Sequence, residues 1–511
     1  MIQQQLTPPR IQILEESKAR RVQFTAQKPK RFNLVLAVDS YKLSHAFAYP
    51  KDICGMAAYI EARTRALDIM IPFGRQAVLQ KYLNEPITQE DINEAATFAA
   101  VHGEPFAHDV WNHILKKYNG YMPLVIRGVP EGTPVRSGNA MTTIMCIDSF
   151  VAENIFWLCS YFETLLLRGE WYPTTIATRD RATLVEIKRF YEISGADIGM
   201  LPFALHDFGG RGVTCHEQAE IGGAAHLVSF MGSDTVEGVL YANHWYREAM
   251  SAYSVPATEH SVQCSFGKGK GSIKSELEYV RHVLKYLAKP GGIVSIVIDG
   301  YDVYRLCELL CTVLKQEIID SGAKVVFRPD SGDMFEVVPR ILRMQEATFG
   351  SVTNSKGYRK INYVGVMQGD GVDRLNLLTL LGNILAMGFT ACCVLFGSGG
   401  ALLQKVDRDT YKFAQKASAV LVRTEATGST GISYKYEWVG IAKDPVTDPG
   451  KKSKEGVLTL VRSRMTGEQS TARIDLSPLD EDFEDMMVDL YDHGEFFNET
   501  TLAEVRARAA I

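Results

Sequence analysis

Short apolar runs alternate with helix-like spacing through the middle of the chain, and each run ends in a polar turn. Residues 325–327 form one such run, which is typical of a short buried strand. The turn at residues 328–332 can continue neither a sheet nor a helix, and apolar positions at 334–344 then recur with helical spacing. The pattern therefore predicts a strand, a loop and a helix, with Arg328 and Asp330 at the carboxyl end of the strand.

The same pattern recurs at four other places. Apolar runs at residues 201–205, 293–298, 363–367 and 391–396 lead into turns that carry aspartate, glycine or both. Any one of these turns is also consistent with an ordinary connection between a strand and a helix. Together they predict a barrel or an open parallel sheet with ligand chemistry at its carboxyl edge. The glycines at 397–400 suit a phosphate, because such barrels often bind one after their final strands.

Both flanks of this central block are richer in strand-like segments. Strands are expected at 32–38, 56–60, 124–126, 141–147, 417–422, 432–438 and 457–461, and helices at 74–119 and 150–167. The acidic segment after Ser477 is expected to be a solvated helix face.

The predicted fold class is α/β. We expect an irregular (β/α) barrel-like central domain with a smaller strand-rich α+β lobe built from both chain ends. The predicted boundaries are an N-terminal arm at 1–31, the lobe at 32–177 and 401–511, and the barrel-like domain at 178–400.

Composition argues against several classes of partner. The chain has 511 residues, of which 46% are hydrophobic and 23% charged, and its formal net charge is −5. These values favour neither nucleic acid nor an anionic membrane as a partner. The longest apolar run, at 384–396, is too short to cross a bilayer, and the first residues lack a signal-peptide pattern. Nine cysteines without a CxxC pair favour a reduced, cytoplasmic location.

The predicted loops hold groups that suit a phosphorylated sugar and a flat ring. Guanidinium groups bind anions, and backbone amides of glycine-rich turns bind phosphates. Carboxylates hold ribose hydroxyls or Mg²⁺, and an aromatic side chain offers a flat face. These groups are Arg211, Arg328, Arg408, Gly397, Gly399, Gly400, Asp299, Asp330, Asp370 and Phe208. The sequence contains no P-loop motif.

Longer motifs carry a family resemblance. They cover roughly residues 37–460 and are AVDSYKLSHAFAYP (37–50), WYPTTIAT (171–178), LHDFGGRGV (205–213), GSDTVEG (232–238), YSVPATEHS (253–261), FRPDSG (327–332), QGDGVD (368–373), FGSGGALLQK (396–405) and KDPVTDPGKKSK (443–454). In these motifs the chain resembles the nicotinamide phosphoribosyltransferases. That family transfers phosphoribose from phosphoribosyl pyrophosphate to the ring nitrogen of nicotinamide and releases pyrophosphate.

The resemblance implies a site for the pyridine base. Phe208 and Tyr41, the latter from the neighbouring subunit of a homodimer, would stack on the two faces of the ring. Asp234 would accept a hydrogen bond from the carboxamide and would repel the carboxylate of nicotinate. Arg211 and Arg328 would serve the amide and phosphate regions. Further substrate contacts are implied for Ser254, Val255, Ser295 and Arg408.

The resemblance also implies sites for ribose, phosphates and metal. Asp299, Asp330, Gly369 and Asp370 would hold ribose and Mg²⁺-bound oxygens, with Asp330 and Asp299 as the metal ligands. The 5′-phosphate would lie on the backbone amides of Gly399 and Gly400. Pyrophosphate or the phosphates of ATP would meet a basic group, partly across the dimer interface: Arg63, Arg408, Lys416, Lys443 and Lys451.

A histidine in the YSVPATEHS motif is implied to couple ATP to the reaction. A lone histidine in a polar loop is more often structural than catalytic, but the whole motif favours His260 as the residue that ATP phosphorylates. Glu259 beside it would orient the imidazole or the ligand contacts. ATP is then a co-substrate and Mg²⁺ a cofactor.

Three other interpretations stay open from the sequence. A nicotinate phosphoribosyltransferase would share fold and mechanism, although Asp234 argues against a carboxylate substrate. A catalytically silent phosphosugar-binding protein would not need Asp299, Asp330 and His260 together. An aldolase-type barrel would need a Schiff-base lysine at a strand end, where this chain has aspartate, arginine and glycine.

Overall fold

We describe a computed structural model of the chain at residues 32–63, 69–147, 155–428, 431–447 and 452–510. The predicted arm at 1–31 and the predicted phosphate ligand Lys451 lie outside these residues. Within them, no helix combines the length and apolar character needed to cross a membrane.

The described strands are numbered in chain order. They are β1 (Ile53–Ala62), β2 (Ile69–Met70), β3 (Val125–Gly128), β4 (Val135–Arg136), β5 (Ala140–Ile147), β6 (Leu205–Asp207), β7 (Gly232–Ser233), β8 (Ile293–Val297), β9 (Lys324–Arg328), β10 (Ser351–Thr353), β11 (Arg359–Ile361), β12 (Val364–Gln368), β13 (Val394–Ser398), β14 (Phe413–Gly428), β15 (Gly431–Gly440), β16 (Leu458–Ser463), β17 (Gln469–Arg473), β18 (Phe483–Asp485), β19 (Val488–Asp492) and β20 (Glu495–Phe496).

The described α-helices are numbered in the same way. They are α1 (Arg75–Leu83), α2 (Gln89–His102), α3 (His108–Lys117), α4 (Leu158–Tyr161), α5 (Glu163–Ser194), α6 (His216–His226), α7 (Val236–Trp245), α8 (His260–Gly267), α9 (Ile273–Leu287), α10 (Val303–Cys311), α11 (Lys315–Asp320), α12 (Met334–Phe349), α13 (Arg374–Ala386), α14 (Gly400–Leu403) and α15 (Leu502–Ala509). Short 3-10 helices lie at Leu34–Leu36, Ser40–Phe47, Ile198–Phe203, Gly210–Gly212, Ala391–Cys393 and Arg408–Thr410.

A parallel sheet of six strands curls into a half barrel, in the order β7-β6-β13-β12-β9-β8. Phe327 of β9 pairs with Val366 of β12, and Phe396 of β13 pairs with Leu205 of β6. Buried residues of the sheet and of helices α6, α7, α9, α10, α12 and α13 share one core. Because the strands are parallel, their carboxyl ends lie along one edge, where the predicted polar turns follow them.

A second, antiparallel sheet joins the two ends of the chain. Its strand order is β15-β14-β1-β5-β3-β19-β20, so the early strand β1 lies between β5 and the late strand β14. A separate core packs beneath it with residues of α1, α2, α3 and α5. The predicted fold class, a barrel-like α/β domain with a strand-rich lobe, is confirmed.

The helix expected at 150–167 is wrong in its extent. Within the described residues α4 is only four residues long, and α5 begins at Glu163 and continues through Pro173 to Ser194. The sequence around Pro173 suggests a break, because proline removes a helical hydrogen bond. Here the hydroxyl groups of Thr174 and Thr178 accept hydrogen bonds from the backbone of Phe73 and Ile71, so tertiary contacts hold the helix at this point.

Two expectations near the chain ends are also wrong. Residues 32–38 do not form a strand, because Asn33 accepts a hydrogen bond from Val35 N at 3.0 Å and caps the 3-10 helix Leu34–Leu36. The acidic segment after Ser477 was expected to be helical, but it is not. Strand β18 pairs there with β16, and Glu484 forms an ion pair with Arg462 at 2.6 Å.

Candidate active site

Phe208 follows β6 at the carboxyl edge of the half barrel. Its backbone N donates to Ser398 O at 2.9 Å, which ties the loop after β6 to the end of β13. The ring is half-buried against Val326, Met367 and Leu395 inside the barrel. A side chain at Gly397 would overlap this ring, so glycine is needed there to leave room for the aromatic face.

Asp234 follows β7 and lies next to the Phe208 loop. Its backbone N donates to Asp207 O at 2.9 Å, and its Oδ1 accepts from Ser254 Oγ at 2.5 Å. The carboxylate is exposed to solvent. Burial lowers the pKa of the nearby His206 to about 4, although the Asp234 carboxylate opposes this shift. The pocket therefore presents a carboxylate beside a neutral imidazole at neutral pH.

His260 and Asp299 meet beside the carboxyl end of β8. His260 begins α8 and Asp299 follows β8, and the distance from His260 Nε2 to Asp299 Oδ1 is 2.9 Å. The other carboxylate oxygen of Asp299 accepts from Ser331 Oγ at 2.5 Å. The Asp299 side chain is 3% exposed and that of His260 44%, so a buried carboxylate orients an accessible imidazole. Glu259 bonds with the Ser261 hydroxyl rather than with the imidazole.

The segment before α8 runs along β8 and carries further predicted contacts. Thr258 N donates to Ser295 O at 3.1 Å, and Arg328 Nη2 donates to Thr258 O at 2.8 Å. Ser295 Oγ and Arg328 Nε are buried and have no hydrogen-bond partner among the described residues. Ser254 is exposed and Val255 half-buried at the start of this segment. Unpaired buried donors of this kind are suited to a bound ligand.

Asp330 lies against the glycine that follows β12. A Cβ at Gly369 would stand 2.8 Å from Asp330 Oδ1, so only glycine leaves enough room for this carboxylate. No hydrogen bond involves the Asp330 carboxylate within the described part of the chain, while Gln368 Nε2 donates to Asp370 O at 2.7 Å. The Asp370 residue itself is exposed.

Asp299 and Asp330 carry oxygen donors of the kind that magnesium ions bind. Among the described residues, no group of three or more His, Cys, Asp or Glu side chains could hold a metal ion by itself. Mg²⁺ commonly binds through one or two carboxylates, several waters and substrate phosphates. Asp330 with Asp299 provides such a donor set, so the residues fit the group.

Gly399 and Gly400 lie where two loops meet. Gly399 precedes α14, and a Cβ at Gly212 would stand 3.1 Å from Gly400 Cα, so the turn Gly210–Gly212 approaches the start of α14 closely. Arg211 in this turn is exposed. The arrangement leaves glycine backbone beside an arginine, which suits a phosphate.

Four basic side chains lie near one another around Lys416 of β14: Arg63, Arg408, Lys416 and Lys443, here called the basic cluster. Burial lowers the pKa of Lys416, and the charges of the other three members lower it further, whereas Glu163 raises it. Arg63 N donates to Tyr411 O at 3.1 Å, which fixes the end of β1, and Arg63 Nε is buried without a partner among the described residues. Such a concentration of cations indicates an anion site.

Tyr41 lies in the lobe, in the 3-10 helix Ser40–Phe47. Tyr41 is 54% exposed. Its ring contacts the His45 ring edge-on, and the two ring centroids are 5.2 Å apart. Within the described chain no ring contact joins it to Phe208.

Comparisons with known proteins give the family. The model "Nicotinamide phosphoribosyltransferase, N-terminal domain" matches residues 33–126, and the model "Nicotinate phosphoribosyltransferase (NAPRTase) family" matches 203–495. A nicotinamide phosphoribosyltransferase of Xanthomonas campestris pv. campestris (strain 8004) is 43% identical over 480 residues, which cover 93% of this chain and 98% of that protein. The chain belongs to the nicotinamide phosphoribosyltransferase family. It is therefore a phosphoribosyltransferase.

More distant relatives agree with this placement. A nicotinamide phosphoribosyltransferase of Acinetobacter baylyi (strain ATCC 33305 / BD413 / ADP1) is 31% identical over 524 residues, covering 94% of this chain and 97% of that protein. Two solved structures share the fold at low identity. The first is nicotinate-nucleotide pyrophosphorylase from Pyrococcus furiosus, with a TM-score of 0.57 and 14% identity, where the match covers 94% of this chain and 97% of that chain. The second is human nicotinic acid phosphoribosyltransferase, with a TM-score of 0.51 and 16% identity, where the match covers 92% of each chain.

Sequence reasoning missed a buried group behind the Phe208 and Asp234 loops. Asp180, Asp207 and His226 are each almost fully buried, and Asp207 Oδ1 accepts from Gly209 N at 2.7 Å. The signal in the sequence is the aspartate of HDFGG, which by itself is consistent with an ordinary turn. Ser331, which holds Asp299, was also missed, although it lies in the FRPDSG motif.

Proposed function

We propose that this enzyme forms nicotinamide mononucleotide and pyrophosphate from nicotinamide and phosphoribosyl pyrophosphate, in NAD salvage. The observation that carries the proposal is the pair of Asp234 and the Phe208 ring at the carboxyl edge of the half barrel. The names of the relatives support the same substrates.

Asp234 supports nicotinamide rather than nicotinate as the base. Ser254 donates to Oδ1, so Oδ2 is free to accept a hydrogen bond from the carboxamide NH₂. Nicotinate would place a second carboxylate against Asp234, and such a like-charge contact costs affinity. The Phe208 ring would stack on one face of the pyridine, and we propose that Tyr41 of a second subunit stacks on the other.

The neighbouring groups suit the phosphoribosyl part of the substrate. Asp299, Asp330 and Asp370 would bind ribose hydroxyls, and the amides of Gly399 and Gly400 would bind the 5′-phosphate. Arg328 has an unpaired buried Nε with which to meet the substrate. When bound, Mg²⁺ would be held by Asp330 and Asp299 and would supply positive charge to the pyrophosphate leaving group.

The residues act by position and charge. As the bond from C1 of ribose to pyrophosphate breaks, positive charge develops on the sugar and negative charge on the leaving group. Asp299 and Asp330 would stabilise the sugar, while the basic cluster would stabilise the pyrophosphate. The Phe208 face and Asp234 would hold the pyridine nitrogen toward C1, so that the new C–N bond forms as the old bond breaks.

We further propose that ATP is coupled to this reaction through His260. Asp299 fixes the imidazole through Nε2, which leaves the other ring nitrogen for attack on the γ-phosphorus of ATP. A phosphorus–nitrogen bond would form as the phosphorus–oxygen bond to ADP breaks. The added negative charge beside Asp299 would then alter the binding of substrate and product.

A homodimer and a cytoplasmic location complete the proposal. The exposed Tyr41 and the basic cluster, in which Arg408 and Lys443 are exposed, would contribute to the site of a second subunit. All nine cysteines are free thiols, which agrees with a reducing compartment.

Replacing Asp234 by serine tests the proposal at its central residue. Asp234→Ser removes the like charge, so we expect the ratio of kcat/KM for nicotinamide to kcat/KM for nicotinate to fall by about tenfold or more. The control is Glu237→Ser, which removes an acid one helical turn away with the same change in net charge. An unchanged ratio in Asp234→Ser would remove this residue from base selection.

A further inference from the structure

A histidine with an oxygen atom close to each ring nitrogen lies buried behind the Phe208 and Asp234 loops. His226 is the last residue of α6, and its side chain is 0% exposed. The distance from His226 Nδ1 to Asp180 Oδ2 is 2.6 Å, and that from Nε2 to Gly232 O is 3.1 Å. Both partners therefore lie within hydrogen-bond distance of the ring.

The chemistry of these partners fixes the proton count on the ring. A backbone carbonyl oxygen and an ionised carboxylate can only accept, so beside ionised Asp180 both ring nitrogens donate and the ring is an imidazolium. The ionisable groups that face it are Asp180 from α5 and Asp207 and His206 from β6. Burial alone would lower the pKa of His226, but the carboxylates of Asp180 and Asp207 outweigh burial and raise it.

The contacts of this imidazolium reach both loops of the base site. Gly232 opens β7, two residues before Asp234, and its carbonyl is held by His226. Asp207 faces the same ring and accepts from Gly209 N, the residue after Phe208. Asp207 O in turn accepts from Asp234 N at 2.9 Å. One buried charge thus lies behind the Phe208 loop and the Asp234 loop together.

We propose that His226, held as an imidazolium by Asp180, is a positioning residue that fixes the Phe208 and Asp234 loops for base binding. The inference rests on the base site of the proposed function. Because the histidine pKa is raised, the contribution is fully present below the ordinary histidine pKa and is lost as pH rises through the raised pKa. Nicotinamide affinity should therefore fall as pH rises through that raised pKa, whereas binding of phosphoribosyl pyrophosphate should change less.

The test uses the full-length enzyme and the variants His226→Gln and Asp180→Asn. We expect each variant to raise the KM for nicotinamide about tenfold with a smaller change in kcat, as for loss of one charge-assisted hydrogen bond. In wild type this KM should rise as pH rises through the raised pKa of His226, and in His226→Gln the rise should be absent. The control is His216→Gln on the same helix, where the side chain is 71% exposed.

Neutron diffraction of the wild-type enzyme at neutral pH provides a measurement that needs no variant and no activity. Deuterons on both His226 nitrogens are expected, and a ring with one deuteron would overturn the inference even if nicotinamide is the substrate.

Folded variants with wild-type KM and an unchanged pH profile would also overturn it. If neither variant folds, the wild-type KM profile decides: a KM that stays flat as pH rises through the raised pKa overturns the inference. Absence of any product from nicotinamide in wild type would instead count against the proposed function.

Discussion

Two glycines determine where the reactive side chains of the site can lie. Gly397 makes room for the Phe208 ring, and Gly369 makes room for the Asp330 carboxylate. Neither glycine offers a functional group, and neither has a positive φ that would require glycine for backbone reasons. Their role is steric, so substitution by alanine should be damaging at the site.

Gly397→Ala tests this steric role. The added methyl group would overlap the Phe208 ring, so the ring must move away from the base. We expect kcat/KM for nicotinamide to fall by at least about tenfold, since displaced contacts of this kind cost more than about 1.4 kcal/mol. The control is Gly382→Ala in α13, where a Cβ meets no atom within 4 Å. Equal activity of both variants would refute the role of Gly397.

Single residues at strand ends were predictable, but their partners were not. The polar turns indicated Asp299 and Asp330 because acids at the carboxyl ends of parallel strands commonly serve ligands. The bond between His260 and Asp299 joins residues 39 apart in sequence, and that between Asp180 and His226 joins residues 46 apart. Such pairs depend on how the helices pack on the sheet, which no local pattern determines.

At the scale of elements, alternation of apolar runs and polar turns predicted the central strands well. The buried runs of β8, β9 and β12 are short and contain β-branched residues, and a polar turn follows each strand directly. The expected helix at 150–167 was wrong because the local pattern indicates a break near Pro173. In the folded chain the helix is held by residues 71–74, about a hundred positions away, and this contact outweighs the local cost of proline.

The pairing of β1 with β14 places Lys416 within the basic cluster and gives a prediction about protons. Burial and the neighbouring cations lower the pKa of Lys416, and a bound polyanion would raise it again. Binding of pyrophosphate at a pH near this lowered pKa should therefore take up protons. Calorimetry in buffers of different ionisation enthalpy measures this uptake.

The uptake should disappear in Lys416→Met and persist in Lys435→Met. Lys435 lies on β15 and is paired with Glu437 at 2.9 Å on an exposed face. If Lys416→Met binds pyrophosphate with the wild-type proton uptake, Lys416 does not contact the anion.

At the scale of the whole molecule, the half barrel carries the groups proposed to bind base and ribose, and the lobe carries Tyr41 and much of the basic cluster. A site shared between subunits would bring these two parts together across a symmetric dimer. Mixing two inactive variants tests this arrangement. A mixed dimer pairs one Asp299→Asn subunit with one Lys416→Met subunit. If each site takes Asp299 from one subunit and Lys416 from the other, one site contains both substitutions and the other contains neither.

Random exchange of these two variants should restore about a quarter of wild-type activity, because half of the dimers are mixed and each has one intact site of two. The control is exchange of Asp299→Asn with Asp330→Asn, where both defects lie on the half barrel and no recovery is expected. Absence of recovery in the first mixture would place Lys416 and Asp299 in the same subunit's site.

The most direct test of the proposed function offers the wild-type enzyme equal amounts of nicotinamide and nicotinate with phosphoribosyl pyrophosphate and Mg²⁺, with and without ATP. The two mononucleotide products are separated and quantified. We predict that nicotinamide mononucleotide predominates and that ATP increases its yield in wild type but not in His260→Ala. Predominance of nicotinate mononucleotide would contradict the assignment of Asp234 and of the function.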